Sequence, residues 1–327
     1  MTSLELAPPT LDEVEAARHR LQGVALRTPL LPLNVTDAPA EIHLKLENLQ
    51  PIGSFKLRGA GNALAVADPQ ELERGVATAS AGNMAQGLAW CARRLGIACR
   101  VVVPDHAPRV KLEAIERLGG KTIAVPFAKW WEVIETHVYP GLEGLFVHPV
   151  CDPHVIAGNA TIGLELLEDL PDVDTLLVPF GGGGLSCGIA AAVKAKRPDV
   201  RVLACEVETA APLAAALAAG EPCEIEYRAS FVDGIGGRGL LPPMWPLAKR
   251  LLDGSIVVSL EETAAALRLL VEQNHVVAEG AGAVPVAAAL TGRAGEGRIA
   301  CVVSGGNIDP EKLGRVLTRD PTLVLPD

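Results

Sequence analysis

The chain predicts an α/β fold, a parallel sheet with helices on both faces. Two observations carry this. Short apolar runs alternate along the chain with longer helix-like ones, the pattern left by successive βαβ connections. Aromatics make up only 3% of the residues while 49% are hydrophobic. The core must then be built from Ala, Val, Leu and Ile, which suits strands buried on both faces beneath Ala-rich helices.

Strands are expected at 42–47, 76–79, 99–103, 122–125, 175–179, 200–207 and 299–303. Helices are expected at 84–95, 108–118, 186–195 and 260–274. The last opens with Glu261 and Glu262, which complement the positive end of its dipole. Ligands of such sheets bind at the C-terminal ends of strands, near a switch in strand order. A smaller domain is expected over 63–150, set between two parts of a larger one, 1–62 and 151–327. No repeats, low-complexity tracts or long linkers interrupt the chain. Only about one helix fits after Ser304, so no regulatory appendage is expected.

Bulk properties exclude several classes. The net charge of −10 and pI near 5.3 argue against nucleic acid and against an anionic membrane surface. No apolar run reaches about 18 residues without Gly, Pro or charge, so no span is expected. Met1–Thr10 lacks a basic segment followed by an apolar one, so no secretory leader is expected. The 7 cysteines include no Cys-x-x-Cys pair. An odd number on apolar segments reads as reduced, buried thiols in a cytoplasm, not as metal ligands or nucleophiles. The histidines (His19, His43, His106, His137, His148, His154 and His275) are dispersed, and none pairs at metal-ligand spacing. No Gly-x-Ser-x-Gly elbow supports a serine hydrolase.

Four segments carry chemistry. The apolar run 175–180 ends in Gly181-Gly182-Gly183-Gly184-Leu185 and then a helix. Bare backbone amides at the start of a helix make a phosphate cradle. A loose turn is the plain alternative, set against the backbone entropy of four glycines. A dinucleotide site is the sharper rival: Ser186 stands where Gly-x-Gly-x-x-Gly needs its last glycine, yet Glu206 could serve as a ribose-binding acid. In Gly53-Ser54-Phe55-Lys56-Leu57-Arg58-Gly59, Lys56 lies between apolar neighbours. A desolvated lysine has a lowered pKa and attacks aldehydes; an exposed charge is the plain alternative. Ser80-Ala81-Gly82-Asn83-Met84-Ala85-Gln86-Gly87 follows a strand and opens a helix. It reads as a second anion site, sized for a carboxylate, or as a helix capped by Ser80 or Asn83. Ser304, in Ser304-Gly305-Gly306-Asn307, offers a hydroxyl at a strand end that suits a ring nitrogen, or a simple strand-to-turn junction.

Together these segments resemble the fold type II pyridoxal phosphate enzymes, in particular the serine/threonine dehydratase and serine racemase group. Leu46-Glu47-Asn48-Leu49-Gln50, His148-Pro149 with Asp152-Pro153, Asp233-Gly234-Ile235 and Glu279-Gly280-Ala281-Gly282 also fall in that family's order, from Thr28 to Asn307. The resemblance implies two domains, each with a mostly parallel twisted sheet, and an active site in the cleft between them. It implies pyridoxal 5'-phosphate as cofactor, with Lys56 as the Schiff-base lysine and the base for the substrate Cα. Phe55 would lie near the cofactor ring, Asn83 would bond its phenolic oxygen, Ser304 would face its nitrogen, and Glu279 would join the cofactor site. Gly181, Gly182, Gly183, Gly184 and Leu185 would present amides to its phosphate. Ser80, Ala81, Gly82, Asn83, Met84 and Gln86 would surround the substrate and hold its carboxylate.

The activity so implied is loss of water and ammonia from L-threonine or L-serine, giving a 2-oxo acid, in a cytoplasmic homo-oligomer such as a dimer. The alternatives are a bulkier 3-hydroxy amino acid (3-hydroxyaspartate or phenylserine type), a racemase, or a non-catalytic or dinucleotide-binding α/β protein. Three positions depart from the family. Ala81 replaces the second serine of the racemases, which disfavours racemisation. Met84 replaces the usual His, which either widens the pocket for apolar groups or is neutral packing. Pro212 replaces an Asp that would join Glu206 in a divalent-cation site, so no metal is expected.

Overall fold

The structure is a computed structural model and describes residues 6–320 and 322. The reading at Met1–Thr10 therefore lies in part outside the described residues. Ten strands form two sheets: β1 (Leu30–Pro32), β2 (Glu41–Leu46), β3 (Val76–Ala79), β4 (Cys99–Pro104), β5 (Gly120–Val125), β6 (Leu145–Phe146), β7 (Thr175–Pro179), β8 (Arg201–Val207), β9 (Ser255–Val258) and β10 (Arg298–Val303). The helices preceding β7 are α1 (Leu11–Arg20), α2 (Lys56–Val66), α3 (Pro69–Glu73), α4 (Asn83–Leu95), α5 (Arg109–Arg117), α6 (Phe127–Thr136) and α7 (Pro153–Asp169). Those following it are α8 (Ser186–Lys196), α9 (Pro212–Ala219), α10 (Trp245–Leu251), α11 (Leu260–Asn274), α12 (Gly280–Leu290) and α13 (Pro310–Leu317). None of these helices is long and apolar enough to cross a membrane.

The larger sheet runs β1-β2-β10-β7-β8-β9 and the smaller β5-β4-β3-β6. All pairs are parallel except β1 with β2. Strand order reverses at one strand in each sheet. From β7 the chain moves outward to β8 and β9, then returns to place β10 on the other side of β7. From β3 it moves to β4 and β5, then returns to place β6 on the other side of β3. At such a reversal the two flanking connections leave in opposite directions and open a crevice beyond the strand's C-terminal end. The glycine loop follows β7, and the Ser80–Gly82 loop follows β3. The two anion-binding candidates therefore sit at the two places where this topology makes a crevice.

Each strand expected from the sequence is present, with ends shifted by at most two residues. The short strands β1, β6 and β9, and helices such as α2 and α7, are additions to that expectation. The helices α2 and α7 carry Gly59, Gly61, Gly158 and Gly163, which lower helix propensity. Their packing explains two of these glycines. A Cβ on Gly158 would lie 2.4 Å from the Arg58 carbonyl oxygen, and one on Gly59 would lie 2.7 Å from the Val155 side chain. The two helices cross backbone to backbone, so tertiary contact overrides local preference.

The Gly158→Ala variant sets a methyl against a carbonyl that cannot move without shifting α2. We expect a loss near the upper end of the ~1–3 kcal/mol typical of overpacking. Urea denaturation at unchanged m-value measures it; an unshifted midpoint would mean that α7 can move away from α2 at little cost.

Candidate active site

A cavity of about 390 Å³ opens between the two sheets. Phe55, Lys56, Ser80, Ala81, Gly82, Asn83, Met84, Gln86, the Gly181–Gly184 run, Leu185, Glu279 and Ser304 all line it. Segments separated by more than two hundred residues thus meet at one wall. The sequence did not single out Lys111, Phe127, Trp130 or Val150, which also line it.

Lys56 is the first residue of α2. Its amine donates to the Pro149 carbonyl at 2.8 Å and sits 5.2 Å from the centroid of the Phe55 ring. Burial lowers its pKa to about 8, against an opposing pull from Glu279. An amine in this state is neutral in a sizeable fraction near physiological pH and is nucleophilic.

A buried charge network fixes the turn that carries Lys56. Arg58 is 2% exposed. Its guanidinium donates to both oxygens of Glu47, at 2.9 and 2.8 Å, and to both oxygens of Glu165, at 2.6 and 2.9 Å. Lys45, fully buried, pairs with Glu165 at 2.6 Å and donates to the Thr28 carbonyl at 2.7 Å. Thr28 and Gln50 donate the remaining bonds to Glu47. Burial alone would raise the Glu47 pKa, but Arg58, Thr28 and Lys45 hold it below the ordinary carboxylate value. The network ties α2 to β2 and to α7.

The glycine loop has no internal use for its donors. Among the described residues, no hydrogen bond is made by the amides of Gly181 through Leu185. Gly183 has φ +97°, a conformation that L side chains rarely adopt, and a Cβ on Gly182 would lie 2.7 Å from Val150. The loop is braced from behind. Asn159, fully buried, donates to the Gly184 carbonyl at 3.3 Å. His148 Nδ1 accepts from the amides of Val150 and Cys151 at 3.0 and 2.7 Å. Burial, the His137 ring and Lys56 push this imidazole down to about 3, so it stays neutral with its proton on Nε2. The turn it holds presents Pro149 to Lys56 and Val150 to the glycine loop. The histidines look inert in the sequence because the family motif His148-Pro149 gives no sign of what it braces.

Asn83 is held by its side-chain partners. Its amide nitrogen donates to Glu279 at 2.9 Å, and its oxygen accepts from Asn307 at 2.8 Å. Burial raises the Glu279 pKa to about 7, with Asn83 opposing. Asn307 also donates to the Ile52 carbonyl, so the amide orientation of Asn83 is set from two sides. The cap reading needs correction: Gly82 is the N-cap of α4 and makes no side-chain cap bond. Ser80 instead accepts from the Gly82 amide at 3.2 Å. Ser304 lines the cavity. Its carbonyl accepts from the Phe55 amide at 3.0 Å, while its hydroxyl has no partner among the described residues. Met84 is 1% exposed and packs in the core beneath α4 while touching the cavity.

Glu206 lies away from the cavity. It accepts from the amides of Leu213 and Ala214 at 2.8 Å each and from the Ser255 hydroxyl at 2.6 Å. This carboxylate starts α9, so it is not presented to a ribose. Lys111, on α5, pairs with Asp233 at 3.1 Å, and Lys312 pairs with the same carboxylate at 3.2 Å. Lys111 and Asp233 of this triad line the cavity. None of the cysteines is paired in a disulfide among the described residues.

Residues 21–305 match the family described as pyridoxal-phosphate dependent enzyme. The L-threonine ammonia-lyase of Thermotoga maritima is 41% identical over 95% of this chain and 78% of its own length. The catabolic L-threonine dehydratase of Escherichia coli K12 is 37% identical over 94% of this chain and 96% of its own. Among solved structures, maize serine racemase superposes with a TM-score of 0.88 at 32% identity, covering 96% of this chain and 98% of that one. The threonine deaminase of T.th. gives 0.83 at 34%, covering 92% and 99%.

Arg58→Leu strands two buried carboxylates. Breaking one side of a buried ion network costs about 3–5 kcal/mol, and chemical denaturation at neutral pH should show a loss of that order. In the wild type, the contribution of Glu47 is present above the unfolded carboxylate pKa of ~4.3 and disappears as pH falls through its lower folded value. A small loss in Arg58→Leu, or a stability flat from pH 5 to 3, contradicts this picture.

Proposed function

The chain belongs to the pyridoxal-phosphate dependent enzyme family, and from that premise we propose that it removes water and ammonia from a 3-hydroxy amino acid, L-threonine or L-serine, with Lys56 carrying the cofactor. The observation that supports this most is the pairing of a pKa-lowered amine with a run of unused backbone amides across one cavity. An aldehyde needs the first and a phosphate the second, so the residues present fit the cofactor. When bound, pyridoxal phosphate supplies a carbonyl for covalent attachment and a conjugated ring that withdraws electrons from the substrate Cα.

The chain's own residues divide the remaining work. The amides of Gly181 through Leu185, with the positive end of α8 behind them, would hold the phosphate. Asn83, oriented by Glu279 and Asn307, would donate its remaining N–H to the phenolic oxygen. Phe55 would pack beside the ring. Ser304 would give its hydroxyl to the ring nitrogen; a hydroxyl, unlike a carboxylate, does not hold a proton there, which suits fast elimination. Ser80, Ala81, Gly82, Asn83 and Gln86 would receive the substrate carboxylate. Lys56 Nζ would take the Cα proton. Lys111 is engaged with Asp233, and Ala81 offers no donor to the opposite face of Cα, so loss of the β-hydroxyl is favoured over re-protonation.

The proposal extends to a homodimer in the cytoplasm. Leu31 on the edge strand β1, with Leu49 and Val277, is apolar yet 41–49% exposed, which supports a partner surface. The unpaired, mostly buried thiols support a reducing compartment.

Apoprotein mixed with pyridoxal phosphate should gain a near-visible absorption band that Lys56→Ala lacks, and the loaded enzyme should release 2-oxo acid from threonine or serine. Because Lys56 is neutral above about 8, the rate of cofactor capture should climb with pH through that value and then level. A colourless protein, or an equal band in Lys56→Ala, would refute the reading.

A further inference from the structure

We propose that Phe127 and Trp130 form an aromatic wall that extends the substrate range beyond threonine and serine, to 3-hydroxy amino acids whose Cβ bears a ring or a comparably large apolar group. The inference deepens the proposed activity and rests on it for the reaction, though not for the binding. This chain is poor in aromatics, with 5 Phe, 4 Trp and 2 Tyr in 327 residues. Yet Phe127, Trp130 and Trp131 crowd into the first turns of α6, and two of them line the cavity. Their rings are in contact: Phe127 to Trp130 is 5.5 Å between centroids, Trp130 to Trp131 6.2 Å, and Phe127 to His106 5.8 Å.

Core packing accounts for Trp130 in part, but not for Phe127 and Trp131. Phe127 is 45% exposed and Trp131 40%. Trp130 packs against the small-sheet core, but its indole N–H is buried without a partner. The ring is thus held by stacking and dispersion, with no hydrogen bond from its indole N–H.

The topology says what that group is. The strands β3, β4 and β5 are parallel neighbours, with Ala79 beside Val102 and Pro104 beside Val125. The carboxylate loop follows β3, and Phe127 follows β5 by two residues. Two strand spacings separate them, about 10 Å along one edge of the sheet. Helical side chains lean toward the N-terminus of their helix, so Trp130 leans back toward this edge. A substrate seated at Ser80–Asn83 extends its Cβ substituent toward an apolar wall. The methyl of threonine leaves that wall wet, whereas a phenyl group covers it. Met84 on the same side of the cavity and Ile235 on the other side are also apolar.

The test uses the cofactor-loaded enzyme. Release of 2-oxo acid should give 3-phenylserine a kcat/KM at least equal to that of threonine. The ratio of the two should fall tenfold or more in Phe127→Ser with Trp130→Ser, and stay within threefold in Trp130→Phe. Threonine turnover without phenylserine turnover, or a ratio unmoved by the double substitution, overturns the proposal. A second readout does not depend on the reaction. Unreactive L-phenylalanine should bind at least tenfold more tightly than L-alanine, followed by tryptophan fluorescence, and Trp130→Phe should lose most of that signal. Equal binding overturns the wall whatever the enzyme catalyses. A phenylalanine preference in an enzyme that dehydrates no 3-hydroxy amino acid would uphold the wall and refute the lyase.

Discussion

Two buried carboxylates grip the Arg58 guanidinium from both sides, and Lys45 balances the second of them. Such a network adds little stability over an apolar core of the same shape, because its charges must be stripped of water. What it supplies is position. Bidentate contacts tolerate little rotation, and Arg58 is two residues from Lys56. The first turn of α2 is therefore locked against β2 and α7, and the amine is delivered to one point at the floor of the cleft. The close crossing of α2 and α7, allowed by Gly59 and Gly158, is what brings Glu165 within reach.

From that fixed point the electrostatics of the cleft follow. Withdrawal from water favours the neutral forms of both Lys56 and Glu279 and moves their pKa values toward each other. A site whose amine and carboxyl both titrate close to neutrality is suited to proton transfer at ordinary pH. The His148 turn and Asn159 brace the other side. They hold the Pro149 carbonyl toward Lys56 and the glycine loop toward the cavity.

Much of this is legible in the sequence. The strands are readable because buried parallel strands are continuous apolar runs, and Val76–Ala79 and Thr175–Pro179 appear with the expected ends. The loops after them are readable because glycine runs and small polar residues have few other uses. The helices α2 and α7 are hidden because their glycines answer to a distant backbone. Nothing local marks Arg58 as buried, because its partners lie 11 and 107 positions away. Asn83 reads locally as a helix cap, whereas its actual partners, Glu279 and Asn307, come from the far end of the chain. Glu206 reads as a ribose-binding acid, but its carboxylate starts α9. Local pattern carries local structure, and the buried charges that position the site pair across the fold.

We propose Lys56 as the residue to which the cofactor is joined. Borohydride reduction of the loaded enzyme makes such a link permanent, and peptide mass mapping then locates it. One cofactor-sized mass addition is expected, on the peptide containing Lys56. Addition at Lys111, the other lysine lining the cavity, or no addition, would contradict it.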